Sequence, residues 1–153
     1  MSAASEDLKQ HIESIDNYIN ETNTKFASFK EEFLLYADMD TESLSKLNQE
    51  ETFNVAYTLY NYASYIQDEV NKNKIALNWC TEQMERLIAQ HSDMFGQYTK
   101  HESKKHILSK ENSYAAKLEQ MRLIAENRLQ SLDGKTYEIK RKADILLEKG
   151  KRL

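Results

Sequence analysis

Lysine and arginine side chains form two clusters in this sequence, and such clusters can bind anionic groups. One cluster runs from Lys100 to Lys110 and begins in the segment HSDMFGQYTKHESKKH, which the sequence predicts as a turn. The other follows Gly134 and continues to Arg152. Cations that contact phosphate release condensed counterions, and this needs no particular motif. The candidate nucleic-acid-binding residues are Lys100, Lys104, Lys105, Lys110, Lys135, Lys140, Arg141, Lys142, Lys149, Lys151 and Arg152.

Signatures of catalysis and metal binding are missing from the sequence. Its 3 scattered glycines cannot form a phosphate-cradling loop. His101 and His106 do not share one face of a helix, and the single cysteine, Cys80, leaves no second thiol for a zinc site. We therefore expect no enzymatic activity, no cofactor and no metal ion.

The two parts of the chain carry opposite charge. Residues 1–99 contain 7 Lys and Arg against 17 Asp and Glu, a net charge of -10. Residues 100–153 contain 14 against 8, a net charge of +6. This asymmetry indicates either a polyanion-binding end or head-to-tail self-association. A third interpretation is that the lysines only keep helix faces solvated.

A long stripe indicates the element that must position these clusters. Between Asn48 and Tyr98 its residues recur in alternating steps of 4 and 3, the spacing of a left-handed coiled coil. Asn48 and Glu51 resemble a capping box at its start. Asn73 is expected to fix register as a buried polar residue. This central stripe consists of Ala56, Leu59, Ala63, Ile66, Val70, Asn73, Leu77, Cys80, Met84, Leu87, His91, Met94 and Tyr98.

A second stripe with the same spacing lies near the N-terminus. This N-terminal stripe consists of Leu8, Ile12, Ile15, Ile19, Thr22, Phe26, Phe29, Phe33 and Tyr36. Because two stripes exceed what one return helix can cover, the sequence predicts a homo-oligomer. The predicted interface residues are Ile12, Ile19, Phe26, Phe33, Ala56, Leu59, Ala63, Ile66, Val70, Asn73 and Leu77.

The sequence predicts one helical domain, residues 1–153, in three parts. An N-terminal coiled-coil helix covers 5–37, a short helix plus a long central helix cover 41–98, and a return helix covers 103–150 with a kink near Gly134. The chain has 0 Pro and 3 Gly, which favours long helices over a sheet. The expected fold class is all-α, with long coiled-coil-like helices that form an antiparallel helical hairpin or bundle.

Tyrosines are concentrated in the first third of the long helix. Tyr57 and Tyr60 are predicted to flank the central stripe, and Tyr62 is predicted to point away from it. These rings either widen the buried face for further helices, or leave one or two exposed to stack on unpaired bases.

The last predicted helix is amphipathic and basic. Tyr137, Ile145 and Leu146 are expected to form its apolar side. A further interpretation is that this helix lies on a membrane surface, but its apolar side is thin and contains no Trp. The sequence has no apolar run near 18 residues and no signal-peptide pattern, so we expect an intracellular protein without membrane partners.

The order of these features resembles a phage family. The chain runs LSKLNQEETFNVAYTLYNYASYIQDEVNKNKIALNW, then a basic turn, then ENSYAAKLEQMRLIAENRLQSLDGKTYEIKRKADILLEKG. It is similar, over roughly residues 44–150, to the UvsY-type recombination mediators of tailed phages. The similar parts are the helix with YASYIQDEVN, the following Trp79, and the segment from Leu129 to Ile139 before a basic end.

The resemblance implies a function that the residues alone do not. It implies an all-helical, ring-forming protein that binds single-stranded DNA through basic residues. Such a protein helps load a RecA-like recombinase while a single-strand-binding protein is displaced, in the cytoplasm of an infected bacterial host. The alternative is a coiled-coil scaffold or adaptor of a phage virion, with no role in nucleic-acid binding.

Overall fold

A computed structural model describes residues 6–20 and 39–153 as α-helices joined by short connections. The helices are α1 (6–20), α2 (Thr41–Ser45), α3 (Gln49–Gln90), α4 (His101–Glu111), α5 (Ser113–Leu132) and α6 (Lys135–Lys151). No β-strand occurs within these two ranges, so the predicted all-α class is confirmed. The rest of the predicted first helix, including Phe26 and Phe33, lies outside the described residues.

Local capping interactions start the helices that follow α1. The Asp40 side chain accepts a hydrogen bond of 2.7 Å from the backbone N–H of Ser43 and so caps α2. The predicted capping box is confirmed: the N–H of Glu51 donates to Asn48 Oδ1 at 2.8 Å, and the N–H of Asn48 donates to Glu51 Oε1 at 3.2 Å. These two N–H groups would otherwise lack acceptors at the start of a helix. Because both are paired, α3 begins directly after Asn48.

The chain folds into two compact units. The first unit comprises Met1–Thr22 and Lys72–Leu129, and the second comprises Asn23–Asn71 and Gln130–Leu153. The long helix α3 therefore contributes residues to both units.

The core of the second unit forms where α6 runs antiparallel to the first half of α3. Gln49 Nε2 donates to the carbonyl of Gly150 at 2.9 Å, and the Tyr60 hydroxyl donates to Asp144 further along both helices. Leu44 and Leu47 pack on the same core from the side of α2. The buried residues are Val55, Ala56, Leu59, Tyr62, Ala63, Ile66, Leu132, Ile139, Ala143 and Leu146.

The predicted orientation of two tyrosines is wrong. Tyr62 is only 9% exposed and belongs to the core, whereas Tyr57 is 68% exposed. The buried face of α3 here includes Val55 and Glu69 as well as the central stripe. It is wider than a coiled-coil stripe because α3 packs against both α2 and α6, and the extra width lies on the Tyr62 side.

The core of the first unit joins α1 to α3, α4 and α5. Asn73 is 0% exposed, as expected for a buried polar residue of the central stripe, and it accepts a hydrogen bond from the Tyr18 hydroxyl of α1. Trp79 is half-buried, with its ring 5.5 Å from that of His11 in an edge-to-face arrangement. The buried residues are Ile15, Tyr18, Ala76, Cys80, Met84, Ile88, Leu108, Tyr114, Ala115, Leu118, Met121 and Ala125.

The long helix ends earlier than its stripe predicts. α3 stops at Gln90, and His91 bends out of helical geometry with φ -113 and ψ 28. The Nδ1 atom of the His91 ring lies 2.9 Å from the carbonyl oxygen of Leu87, which also accepts a hydrogen bond of 3.0 Å from the N–H of His91. As a result Met94 and Tyr98 lie outside the helix, and Tyr98 is 91% exposed.

The predicted return helix is divided into three helices. One break falls at Asn112, whose side chain accepts a hydrogen bond of 3.0 Å from the N–H of Ala115 and starts α5. The other falls at Gly134, close to the predicted kink, where φ is 73. A positive φ is readily adopted only by residues such as glycine, so Gly134 allows the chain to turn between α5 and α6.

Candidate nucleic-acid interface

The solvent-facing side of α6 combines an exposed aromatic ring with cations. Ile139, Ala143, Leu146 and Gly150 are the buried residues of this helix. Tyr137 is 68% exposed, so the predicted apolar side of α6 is wrong for this residue. Ile145, also predicted on that side, is 60% exposed, because the core lies on the Ile139 side of the helix.

Helical spacing places two cations beside the Tyr137 ring. Lys140 and Arg141 follow it by three and four positions, which puts all three side chains on neighbouring parts of one helix surface. Both cations are exposed, and neither forms an ion pair within residues 6–20 and 39–153. We call Tyr137, Lys140 and Arg141 the α6 basic face.

Contacts in the middle and at the C-terminal end of α6 hold this helix in place. At the C-terminal end, Lys149 Nζ donates to the carbonyl of Leu44 at 3.1 Å, beside the bond from Gln49 to Gly150. In the middle, the Tyr60 hydroxyl binds Asp144, and this hydrogen bond is the main cause that raises the pKa of Tyr60. Asp144, which follows Arg141 by three positions, therefore already has a partner inside the second unit.

Several of the predicted phosphate-binding cations are engaged within the protein. Lys104 lies over the Phe95 ring, 5.8 Å from its centroid, and Lys149 binds the α2 carbonyl described above. Lys135 and Lys151 pair with carboxylates of their own helix at 3.8 and 3.3 Å. Lys105 is half-buried and helps lower the pKa of Glu119.

Six predicted cations keep free side chains. Within the part of the chain that the structure describes, none of them makes an ion pair or a side-chain hydrogen bond, and all are exposed. They are Lys100, Lys110, Lys140, Arg141, Lys142 and Arg152. Four of these belong to α6 or directly follow it, so the free positive charge is concentrated there.

The basic turn forms a smaller patch in the first unit. Tyr98 is 91% exposed and Lys100 is the N-cap of α4, without a side-chain capping bond. His101 Nε2 lies 2.8 Å from Glu85 Oε1, which ties the start of α4 to α3. The turn thus offers one exposed ring and one nearby free lysine, a weaker set than the α6 basic face.

The cations of α5 were not among the predicted site residues, and they make ion pairs and hydrogen bonds within the first unit. Lys117 pairs with Asp16 of α1 at 3.0 Å, and Arg128 donates to the carbonyl of Ile19 at 3.3 Å. Arg122 binds Glu119 at 2.6 Å and Glu126 at 2.8 Å, and its hydrogen bond is the main cause that lowers the pKa of Glu119.

Most of the predicted oligomer-interface residues lie inside the chain itself. Ala56, Leu59, Ala63, Ile66 and Asn73 are at most 2% exposed. Helices of the same chain cover these positions, so they do not offer a surface to a second copy. The remaining described members are partly buried and pack on the two cores: Ile12, Ile19, Val70 and Leu77.

The Cys80 thiol is buried in the core of the first unit. Burial raises the pKa of the Cys80 thiol to about 12, so this side chain behaves as a small core residue. No group of three potential metal ligands occurs within residues 6–20 and 39–153. In the same residues, no helix is both long and apolar enough to cross a membrane.

The exposed tyrosines are functional candidates that the sequence pattern did not single out. Tyr137 lies opposite Ala143 and Leu146 when α6 is drawn at 3.6 residues per turn, so the helical period carried this signal. Tyr98 lies in the turn that the sequence predicts from His91 onwards, and the structure places it outside the helices.

Comparisons with known proteins give no match to a family model, a curated protein or a solved structure.

Proposed function

We propose that this protein is a non-enzymatic single-stranded-DNA-binding protein that uses the α6 basic face. The observation that carries the proposal is the exposed ring of Tyr137 within one helical turn of Lys140 and Arg141, both free of ion pairs among the described residues. Stacking needs an unpaired base, so this surface favours single strands over a duplex.

Two physical effects support this choice of ligand. A base that stacks on an aromatic side chain contributes about 1–3 kcal/mol, and each cation that meets a phosphate releases counterions. A cation already paired with a carboxylate would first have to lose that partner. Lys140 and Arg141 carry no such cost, which distinguishes them from Lys135 and Lys151.

The wider biological role that we propose is that of a recombination mediator. The support for this role is the resemblance to UvsY-type proteins over roughly residues 44–150. On that basis the partners would be a RecA-like recombinase and a single-strand-binding protein, in the cytoplasm of an infected bacterial host. A mediator should shorten the lag before recombinase filaments form on DNA coated with the single-strand-binding protein.

Binding of fluorescent oligo-dT, measured by anisotropy across a salt series, tests the DNA-binding proposal. Lys140→Glu with Arg141→Glu should weaken binding. It should also reduce the magnitude of the slope of log affinity against log salt by about 1.4, because each lost phosphate contact reduces that slope by about 0.7. Lys46→Glu with Lys74→Glu is the matched control, since it changes the net charge equally but Lys46 directly follows α2 and Lys74 lies on α3. The control should reproduce the wild-type slope within about 0.3.

A second pair of variants tests the aromatic ring. Tyr137→Ser should cost about 1–3 kcal/mol of binding free energy. Tyr57→Ser should cost almost nothing, although Tyr57 is also 68% exposed, because no cation lies within one turn of it. Wild-type protein that fails to bind oligo-dT at low salt would refute the proposal and favour the scaffold or adaptor function.

A further inference from the structure

A shallow groove lies on the C-terminal half of α6, beyond the α6 basic face. Its volume is about 510 Å³, and it is lined by Asp144, Ile145, Glu148, Lys149, Arg152 and Leu153. Ile145 and Leu153 are both 60% exposed, so each leaves most of an aliphatic side chain in water. We call this surface the α6 groove.

The charges along the α6 groove follow an order that suits pairing with itself. Two acids, Asp144 and Glu148, come first, and two cations, Lys149 and Arg152, follow. When two copies of such a helix lie antiparallel, the acidic half of each faces the basic half of the other. A twofold pair makes every contact twice, so one favourable pairing is doubled.

We infer that the α6 groove binds the α6 groove of a second copy of this chain, with the two helices antiparallel. Placing Glu148 opposite the partner's Lys149 brings Asp144 within one residue of the partner's Arg152. The same register brings Ile145 within one residue of the partner's Leu153. A single alignment therefore satisfies both charge pairs and covers both exposed aliphatic residues.

The charged groups of the α6 groove that already have partners within the chain can each bind one more. Asp144 holds the Tyr60 hydroxyl, Glu148 pairs with Lys151 at 3.3 Å, and Lys149 donates one hydrogen bond to Leu44. A carboxylate has two acceptor oxygens and an ammonium group has three protons, so each group can add a partner.

This interface differs from the one predicted from the sequence. The central stripe is covered inside the chain, whereas the α6 groove is open in the isolated copy. A contact of about three helical turns belongs to the smallest class of interfaces, below about 1,200 Å² in total. The pairing should therefore be weak and depend on protein concentration.

Sedimentation velocity over a concentration series, without nucleic acid, tests the inference. The wild-type mass should rise from 18.0 kDa towards twice that value. Ile145→Ser should keep the protein monomeric over the same range. Ile75→Ser is the matched control and should associate like the wild type, because Ile75 is 70% exposed but lies on α3 in the other unit.

Charge reversal tests the register. Glu148→Lys alone and Lys149→Glu alone should both be monomeric, because each places like charges opposite each other twice. An equimolar mixture of the two variants should associate, since every facing pair is then opposite in charge. Circular dichroism of each variant checks that it is folded. If Lys149→Glu does not fold, the comparison of Ile145→Ser with Ile75→Ser still tests whether the α6 groove forms the interface.

Three outcomes would overturn the inference. They are a wild type that stays monomeric throughout, a control variant that loses association as Ile145→Ser does, and a folded mixture that does not associate when the wild type does. None of these measurements includes DNA. The proposed DNA-binding function could therefore fail while this pairing stands, or the reverse.

Discussion

The close approach of Gly150 to Phe53 gives the sharpest test of packing between α6 and α3. A methyl group added at Gly150 would lie 2.5 Å from Phe53 Cε1 and 2.8 Å from Cδ1, closer than carbon atoms tolerate. Phe53 is half-buried, so its ring has to shift before Gly150→Ala can be accommodated. Overpacking of this kind costs about 1–3 kcal/mol.

Helix propensity acts in the opposite direction. Alanine is more favourable than glycine inside a helix by about 1 kcal/mol, and Gly150 lies within α6. The two effects leave an expected net loss of about 1 kcal/mol in the free energy of unfolding for Gly150→Ala. Urea denaturation followed by far-UV circular dichroism measures this change.

The background variant Phe53→Ala provides the control. Phe53→Ala removes the ring that the new methyl group would meet, so Gly150→Ala should stabilise the protein in that background by up to about 1 kcal/mol. The sign of the effect should therefore reverse between the two backgrounds. If Gly150→Ala has the same effect in both, α6 does not pack against Phe53 as described.

Three further predictions concern individual contacts. Gly134→Ala should lower the free energy of unfolding by about 1 kcal/mol in urea denaturation, because a φ of 73 strains an alanine backbone. A steric clash does not contribute, since the added methyl group would have no neighbouring atom within 4 Å. Gly134→Asn should lower the free energy of unfolding less, because Asn adopts this conformation more readily. Asn48→Ala should cost about 1 kcal/mol in the same assay, because it removes the acceptor for the N–H of Glu51. The Glu119 carboxylate has a pKa below its ordinary value of 4.5, so the stability it contributes is present above that pH and is lost as the pH falls through its folded-state pKa. Thermal melts at neutral and acid pH should show a smaller acid-side loss for Arg122→Gln than for the wild type.

Structural features that depend on residues close together in the sequence could be predicted. The capping box of Asn48 and Glu51, the short helix before it and the buried Asn73 all depend on local spacing, and all occur in the structure. The break at Asn112 also had a local signal, because Asn is a preferred N-cap residue.

Features that depend on distant packing could not be predicted. The 4-3 spacing describes a narrow stripe, but α3 buries a wider face that includes Tyr62, since helices distant in sequence pack beside it. The same limit applies to the cations: their type is visible in the sequence, whereas the contact of Lys104 with Phe95 or of Lys149 with Leu44 is not.

The way the basic segment distributes its charge bears on the choice between a DNA-binding and a purely solvating role. The three cations of α5 bind carboxylates or a carbonyl inside the first unit, so part of the +6 charge of residues 100–153 is unavailable to a polyanion. The free cations are concentrated on α6, beside an exposed tyrosine. If lysines only kept the surface solvated, Lys140 and Arg141 would be interchangeable with Lys46 and Lys74, and the two charge-matched double variants would bind oligo-dT equally. A difference between them would mean that position on α6, and not net charge, determines binding.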